Sequence, residues 1–492
     1  MLKIQIDQKK LYKALNIANS IENKNDKHKS VHIKSINKDL IQITAFNDIS
    51  MIEQTICCFV ISNGSISVEL VTLLNITKNL PNQQIIIESD KNTVRIKSVA
   101  DFKISTFASE QIHTTPDDQV ISSFYLETNT LLKLIRCTKF CINAGETRQN
   151  LNCMAVALKN NADNTNSMIT SYGIDGHRLA KFQTQIDCVQ KSKTEDQAQI
   201  DDINSIKNFD ESDSKDVKES LTKIQNLQPH EFESLLPLKL VDQVINITNN
   251  FETVKIKLSL LTRSIKFLFY STSQEEIKLT SSLANLDFLH YEKLMPKLDT
   301  YSLYFEISSN DMHMSISRVS AISSEKLKYV IMELHNDYLK LICHNENGSF
   351  SSEKLMYELN WLSKIEQIST DEKTNRNKEI LDTHHKSSRY SDEHQASLDK
   401  EIYHHLNCTS DENDSNQQAQ DNLYSDRDQA DHSLDNSNVI FKIGINYRYL
   451  LDIMDLFKGS KIKIYIKDEL SSIIVLINEE PGARFVIMPI RI

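Results

Sequence analysis

Eight glycines in 492 residues is few, and the shortage removes a class of active site. Phosphate cradles use closely spaced glycines so that backbone amides can approach the anion. No such loop occurs, and no nucleophile sits in a recognisable elbow. No apolar run approaches the roughly 18 residues that a membrane-spanning helix needs. The first seven residues, Met1 to Asp7, alternate like a strand and lack a signal peptide's apolar centre. The eight cysteines are scattered, with only Cys57 and Cys58 adjacent and no Cys-x-x-Cys pair. That usage fits reduced thiols in a cytoplasmic protein. Recognition-helix and zinc-finger patterns are missing too, so nothing is present to read a base sequence.

What is present is length, and charge in particular places. A chain of 492 residues exceeds one core and predicts about three domains, and 40% hydrophobic content suffices for several cores. The net charge of −11 argues against a polyanionic partner until its distribution is considered. Residues 187–230 hold 10 acidic and 6 basic side chains, and residues 366–437 hold 17 and 7. Without them the chain has 40 acidic and 43 basic residues, a net of +3. Both segments are polar with few large apolar residues, so burial cannot offset their ordering entropy; they read as disordered or loosely helical insertions. The second carries His384, His385, His394, His404, His405 and Cys408. Their spacing matches no compact metal finger, so no metal or other cofactor is expected.

With the insertions set aside, a repeat appears. Each third of the chain holds two amphipathic helix patterns, each entered from a strand. The first patterns open at Asp7, Thr128 and Ser309, residue types that cap free amides at a helix start. The second open at Glu69, Pro237 and Asn446, and alternating strands follow each one. Equivalent core positions are Leu15 and Leu73, Leu134 and Val241, Ile316 and Leu450. Their separations of 58, 107 and 134 become 58, 63 and 62 when insertions of 44 and 72 residues are removed. Six helix-plus-strand units imply one supersecondary element reused, in α+β domains spanning 1–121, 122–298 and 299–492.

The polar sides of these helices carry an excess of one sign. Lys9, Lys10, Lys13, Lys78, Lys133, Arg136, Lys139, Lys239, Arg318, Arg448 and Lys458 face only Glu69, Asp242, Asp311, Asp452 and Asp455. A solvated surface is the ordinary meaning of such a face. Repeated six times, it also suits a lining that holds phosphates without reading bases.

Three segments carry a resemblance: Arg148 to Met154, Ile174 to Ala180 (Ile-Asp-Gly-His-Arg-Leu-Ala) and Val486 to Ile492. In that order they resemble the beta subunits of DNA polymerase III, the bacterial sliding clamps. The resemblance covers nearly the whole chain outside the insertions. It implies three similar clamp domains per subunit, helices lining a central hole with sheets outside, and a ring-shaped homodimer around duplex DNA. The implied function is processivity, with no reaction of its own. The implied partners are sequence-independent double-stranded DNA, the polymerase III catalytic subunit, the clamp loader, and other polymerases and repair proteins through short peptides.

Carried over by position, the resemblance implies a partner-peptide groove of Leu151, Ile174, Gly176, His177, Arg178 and Leu179. To these it adds Leu289, Lys293, Leu294, Ser472, Val486, Met488, Pro489, Ile490 and Arg491. Leucine, valine, proline and the adaptable methionine make an apolar trough, with Arg178 and Arg491 as polar anchors at its rim. Lys24, Lys27, Lys29 and Gln149 join the DNA-facing set on the same basis. The chain departs from the family pattern at Ile174, Cys153, Leu289 and the terminal Ile490-Arg491-Ile492. Those changes keep apolar character but alter pocket shape.

Two other readings stand beside this one. Asp175, His177 and Arg178 could serve as acid, base and anion clamp of a phosphoryl or acyl transferase. Alternatively, a clamp-like scaffold could have lost DNA encirclement while keeping its peptide groove.

Overall fold

The computed structural model describes residues 1–21, 30–107, 118–145, 147–160, 166–187, 231–272, 274–283, 286–361 and 439–492. Lys24, Lys27, Lys29, the histidine-rich tract and both acidic segments (Asp187 apart) lie outside the described residues.

The six expected helices are Gln8–Ala18, Leu70–Asn79, Thr128–Lys139, Leu238–Asn250, Ser309–Val319 and Tyr447–Leu456, and each follows a strand without a break. All six core positions named from the pattern, Leu15 to Leu450, are at most 1% exposed. Burying a leucine or isoleucine side chain that fully contributes roughly 1.5–3 kcal/mol, so these contacts anchor each helix to its sheet.

Strand pairing repeats three times with one register. Strand Lys3–Asp7 pairs antiparallel with Gln84–Asp90, Val120–Glu127 with Lys255–Leu261, and Leu303–Ser308 with Lys461–Ile466. In each, the residue before the first helix faces the residue that opens the strand after the second: Asp7 and Gln84, Glu127 and Lys255, Ser308 and Lys461. A second ladder repeats likewise, with Glu69, Pro237 and Asn446 facing Ser30, Cys153 and Tyr329.

Individual hydrogen bonds follow the same repeat. The first residue of each leading helix donates its side chain to a carbonyl at, or just past, the end of the trailing helix. Gln8 Nε2 reaches Thr77 O at 2.6 Å, Thr128 Oγ1 reaches Thr253 O at 3.1 Å, and Ser309 Oγ reaches Phe457 O at 2.7 Å. Thr77 O and Phe457 O also accept the Leu80 and Ser460 amides, so these side-chain bonds add a tie between the paired helices. This corrects the capping expected from sequence at two positions. Asp7 does cap its helix, accepting from the Lys9 and Lys10 amides. Ser308 is the cap of the third leading helix, one residue before Ser309, and Thr128 is the first helical residue. The hydroxyls of Thr128 and Ser309 are spent across the pair.

Two compact units result, one of Met1–Ile135, Cys153–Thr170 and Thr184–Leu286, the other of Arg136–Asn152, Ser171–Gln183 and Asp287–Ile492. Each holds parts of more than one sequence third, because ladders join successive repeats. In the first unit Glu276–Ser282 pairs with Ser50–Cys57, from Glu276 opposite Thr55 to Ser281 opposite Ser50. In the second, Glu480–Ile487 pairs with Arg178–Asp187, from Ala483 opposite Phe182 to Ile487 opposite Arg178. No helix among the described residues is long and apolar enough to cross a membrane.

Gly482 sets the closeness of the second junction. A Cβ built there would lie 2.0 Å from Gln183 O, a clash only a backbone shift could relieve. Gly482→Ala is expected to lower stability by about 1–3 kcal/mol, the usual range for overpacking a tight contact. Denaturant unfolding that gives the wild-type midpoint would show this ladder to be looser than described.

Candidate partner groove and helix surface

The junction strand Arg178–Asp187 begins at a turn that the sequence builds locally. Asp175 Oδ1 accepts the backbone amides of His177 at 3.0 Å and Arg178 at 2.9 Å. Gly176 takes φ +90°, a conformation that favours glycine. Asn47 and Asn345 accept two amides in the same manner before Ser50–Cys57 and Phe350–Met356. An aspartate or asparagine turn is thus part of the repeat. What differs at Asp175 is the guanidinium beside it.

Arg178 is 12% exposed at its side chain and fully engaged. Its Nε meets Asp175 Oδ2 at 2.8 Å, Nη1 meets Asp452 Oδ2 at 2.5 Å, and Nη2 donates to Phe140 O at 2.5 Å. The guanidinium also lies 4.3 Å from the ring centre of Tyr449 and 5.3 Å from that of Phe140. Burial opposes its charge, but the carboxylates of Asp452 and Asp175 help hold its pKa above the ordinary arginine value. Burial drives the neighbouring Cys141 thiol well above its usual value, which keeps it protonated and unreactive. Such a charge is stable only while its partners stay, since removing one partner of a buried pair typically costs roughly 3–5 kcal/mol. Arg178 is therefore an internal brace from the turn to helix Tyr447–Leu456. The rim position implied for it is taken by exposed His177 instead.

Most residues of the implied groove come together here. Leu179 faces Val486 in the ladder, and the Met488 amide donates to His177 O at 2.9 Å. The chain then continues to Ile490, whose amide donates to Gly444 O at 2.8 Å. Ser472, just before strand Ile473–Ile477, is held by the Tyr301 hydroxyl, which donates to its carbonyl at 2.7 Å. The segment bearing Leu289, Lys293 and Leu294 is fastened through residues between them. Tyr291 stacks on Tyr172 at 4.9 Å, and Glu292 accepts from the Tyr172 hydroxyl at 2.5 Å and pairs with Lys181 at 2.6 Å. Leu151 is buried in the turn Gln149–Asn152.

Exposure divides the set by role. Leu151, Ile174, Leu179, Leu289 and Val486 are at most 5% exposed and form packed floor. Leu294, Met488, Pro489 and Ile490 are half-buried, and His177, Lys293 and Arg491 are exposed. A ligand would thus meet a small apolar surface with a polar, largely basic edge. Phe140, Tyr449, Asp452, Tyr172, Lys181 and Glu292 support it and were not foreseen, because each acts through a partner remote in sequence.

The DNA-facing candidates within the described residues are exposed, apart from half-buried Lys139. Several are paired. Lys10 meets Glu275 at 3.0 Å, Arg448 meets Glu325 at 3.5 Å, and Lys458 meets Asp455 at 2.8 Å. Arg318 grips Glu353 with both Nε and Nη2.

Comparison with known proteins agrees with this geometry. Residues 2–116 match the family model for the DNA polymerase III beta subunit, N-terminal domain. The chain is 22% identical over its whole length to the whole beta sliding clamp of Rickettsia felis. It is 24% identical over 69% of its length to 78% of that of Rickettsia bellii. The solved DNA polymerase III beta subunit of Thermotoga maritima superposes with TM-score 0.68 at 14% identity, covering 100% of both chains. The sliding clamp of Bartonella birtlesii, solved bound to griselimycin, gives 0.68 at 17% identity with the same coverage. Along its length the chain is similar in sequence to beta sliding clamps of DNA polymerase III, and it shares their fold.

Proposed function

We propose that this chain is a processivity clamp: a three-domain subunit that pairs head to tail with a second copy, encloses duplex DNA and tethers the replicative polymerase. The observation that carries the reading is the triple repeat with two junction edges left over. Glu276–Ser282 and Glu480–Ile487 each pair with the preceding repeat, but their counterpart Asp101–Ser105 ends its sheet. Ser50–Cys57 and Arg178–Asp187 are likewise paired, and their counterpart Phe350–Met356 ends its own. Exposed edges attract strands, and these two are complementary by the molecule's own rule. A second copy satisfies both edges twice over, which closes a two-fold ring of six domains.

The clamp works in the cytoplasm, with the polymerase III catalytic subunit, the clamp loader and other polymerases and repair proteins as partners. The proteins engage the surface of Met488, Pro489, Ile490 and Leu294 through short apolar peptides. No chemical step is assigned. The carboxylate of Asp175 is occupied by two amides and a guanidinium, which suits a brace better than a catalytic acid.

The registers support one particular seam. Asp101 corresponds to Lys278 and Arg484, each set opposite Lys97, Leu268 or Leu476. Two residues on, Lys103 corresponds to Thr280 and Val486, which face Met51 and Leu179. Their counterpart in the last repeat is Phe350, 61% exposed. Lys103→Cys combined with Phe350→Cys should therefore cross-link two chains on mild oxidation, and neither single variant should. A double variant that remains monomeric on a non-reducing gel would reject this seam.

For the groove, Met488→Ala with Leu294→Ala removes two half-buried anchors while sparing the floor. Each anchor contributes about 1–3 kcal/mol, so a polymerase-derived peptide should bind at least about tenfold more weakly. Fluorescence anisotropy showing full affinity would move the peptide site elsewhere and leave the fold untouched.

A further inference from the structure

The six helices are not electrically equivalent. Helices Gln8–Ala18 and Leu70–Asn79 carry four cations and no acidic residue. Thr128–Lys139 and Leu238–Asn250 carry four cations and one aspartate, a net of +3. Ser309–Val319 and Tyr447–Leu456 carry two arginines against three aspartates, a net of −1.

Pairing sharpens the difference. Exposed Lys9, Lys13 and Lys78 make no ion pair among the described residues. In the last repeat Arg318 is gripped by Glu353, whose carboxyl it holds below the ordinary range, and Arg448 is met by Glu325, held below its range by Lys328 first and by Arg448 second. Lys458 and His313 share Asp455, while Asp452 is committed to Arg178. A cation already neutralised by a carboxylate has no condensed counterions to release from DNA. Its field also fades within a Debye length of about 8 Å at physiological salt.

We infer that duplex DNA is held asymmetrically, by phosphate contacts with the helices of the first two repeats, while the last-repeat helices form a near-neutral wall that makes none. The inference rests on the encirclement reading. It divides the chain's labour: the last helix pair spends its charges on ion pairs and on bracing the groove through Arg178, and the first helix pair keeps Lys9, Lys13 and Lys78 for phosphate. In a ring of two copies the basic arcs alternate with neutral ones, so a duplex would lean towards one basic arc.

Two variants of the full-length protein test it, with a short fluorescent duplex titrated across a range of salt. Lys9→Gln, Lys13→Gln and Lys78→Gln together should weaken binding at least about tenfold at low salt. They should also reduce the slope of log affinity against log salt by about 2.7, from about 0.9 per phosphate contact. Arg318→Gln, Glu353→Gln, Arg448→Gln and Glu325→Gln together remove both partners of each pair and leave net charge unchanged. That variant should bind within about twofold of wild type with the same slope. All sites are at the surface, and equal melting temperatures would confirm that both variants fold. Loss of affinity and slope in the second variant to the extent seen in the first would overturn the asymmetry while leaving encirclement standing. Wild-type protein with no salt-dependent affinity for the duplex would overturn the phosphate contacts and the asymmetry with them, while enclosure of DNA would still stand.

Discussion

Backbone groups along the edge of a sheet must find partners, and in this chain that requirement organises everything else. Each repeat presents two junction strands, one that starts at an aspartate or asparagine turn and one that closes its three-strand meander. Within the chain they satisfy each other at Ser50–Cys57 with Glu276–Ser282 and at Arg178–Asp187 with Glu480–Ile487. Amide-to-carbonyl bonds of this kind are individually modest, near 1 kcal/mol net, but a buried edge left unpaired costs more. By the same rule Asp101–Ser105 and Phe350–Met356 stand at the ends of their sheets, where the proposed dimer would pair them.

The proposed peptide surface is a product of the second junction. Where Ser282 donates its amide to Ile49 O at the first junction, Met488 donates to His177 O at the second, with bonds of 2.8 and 2.9 Å. One backbone frame thus serves both places. Only the second is furnished with Met488, Pro489 and Ile490, backed by a buried arginine and flanked by the Tyr291–Leu294 turn. The brace has an electrostatic consequence. Asp452 stabilises Arg178 from a helix that would otherwise present its charge to solvent, so support of the groove and attraction of phosphate compete for the same helix pair.

Much of this was legible in the sequence because it is periodic. The apolar spacing that marks Leu15, Leu73, Leu134, Val241, Ile316 and Leu450 predicts the helices that form, and all six are buried. The α+β class and the strands after each trailing helix follow from the same pattern. Partners remote in sequence were not legible. Arg178 has its second carboxylate 274 positions away at Asp452, and Lys181 has Glu292 at a distance of 111. No local pattern announces either. Charge counting likewise sees Arg318 and Arg448 as free cations, since Glu353 and Glu325 lie on other elements. The hydroxyls of Thr128 and Ser309 look like caps because their residue type favours caps, yet a carbonyl of the paired helix is the acceptor within reach.

Topological linkage to DNA is the central claim, and retention on a closed circle measures it most directly. The full-length protein would be loaded by its clamp loader onto a nicked circular duplex, separated from free protein at high salt, and the circle then cut once with a restriction enzyme. A ring that encloses DNA without binding sequence stays on the circle through the high-salt column and is lost promptly after the cut. Release from the intact circle at the same rate as from the linear form would contradict the account, leaving a clamp-like scaffold that binds peptides and does not enclose DNA.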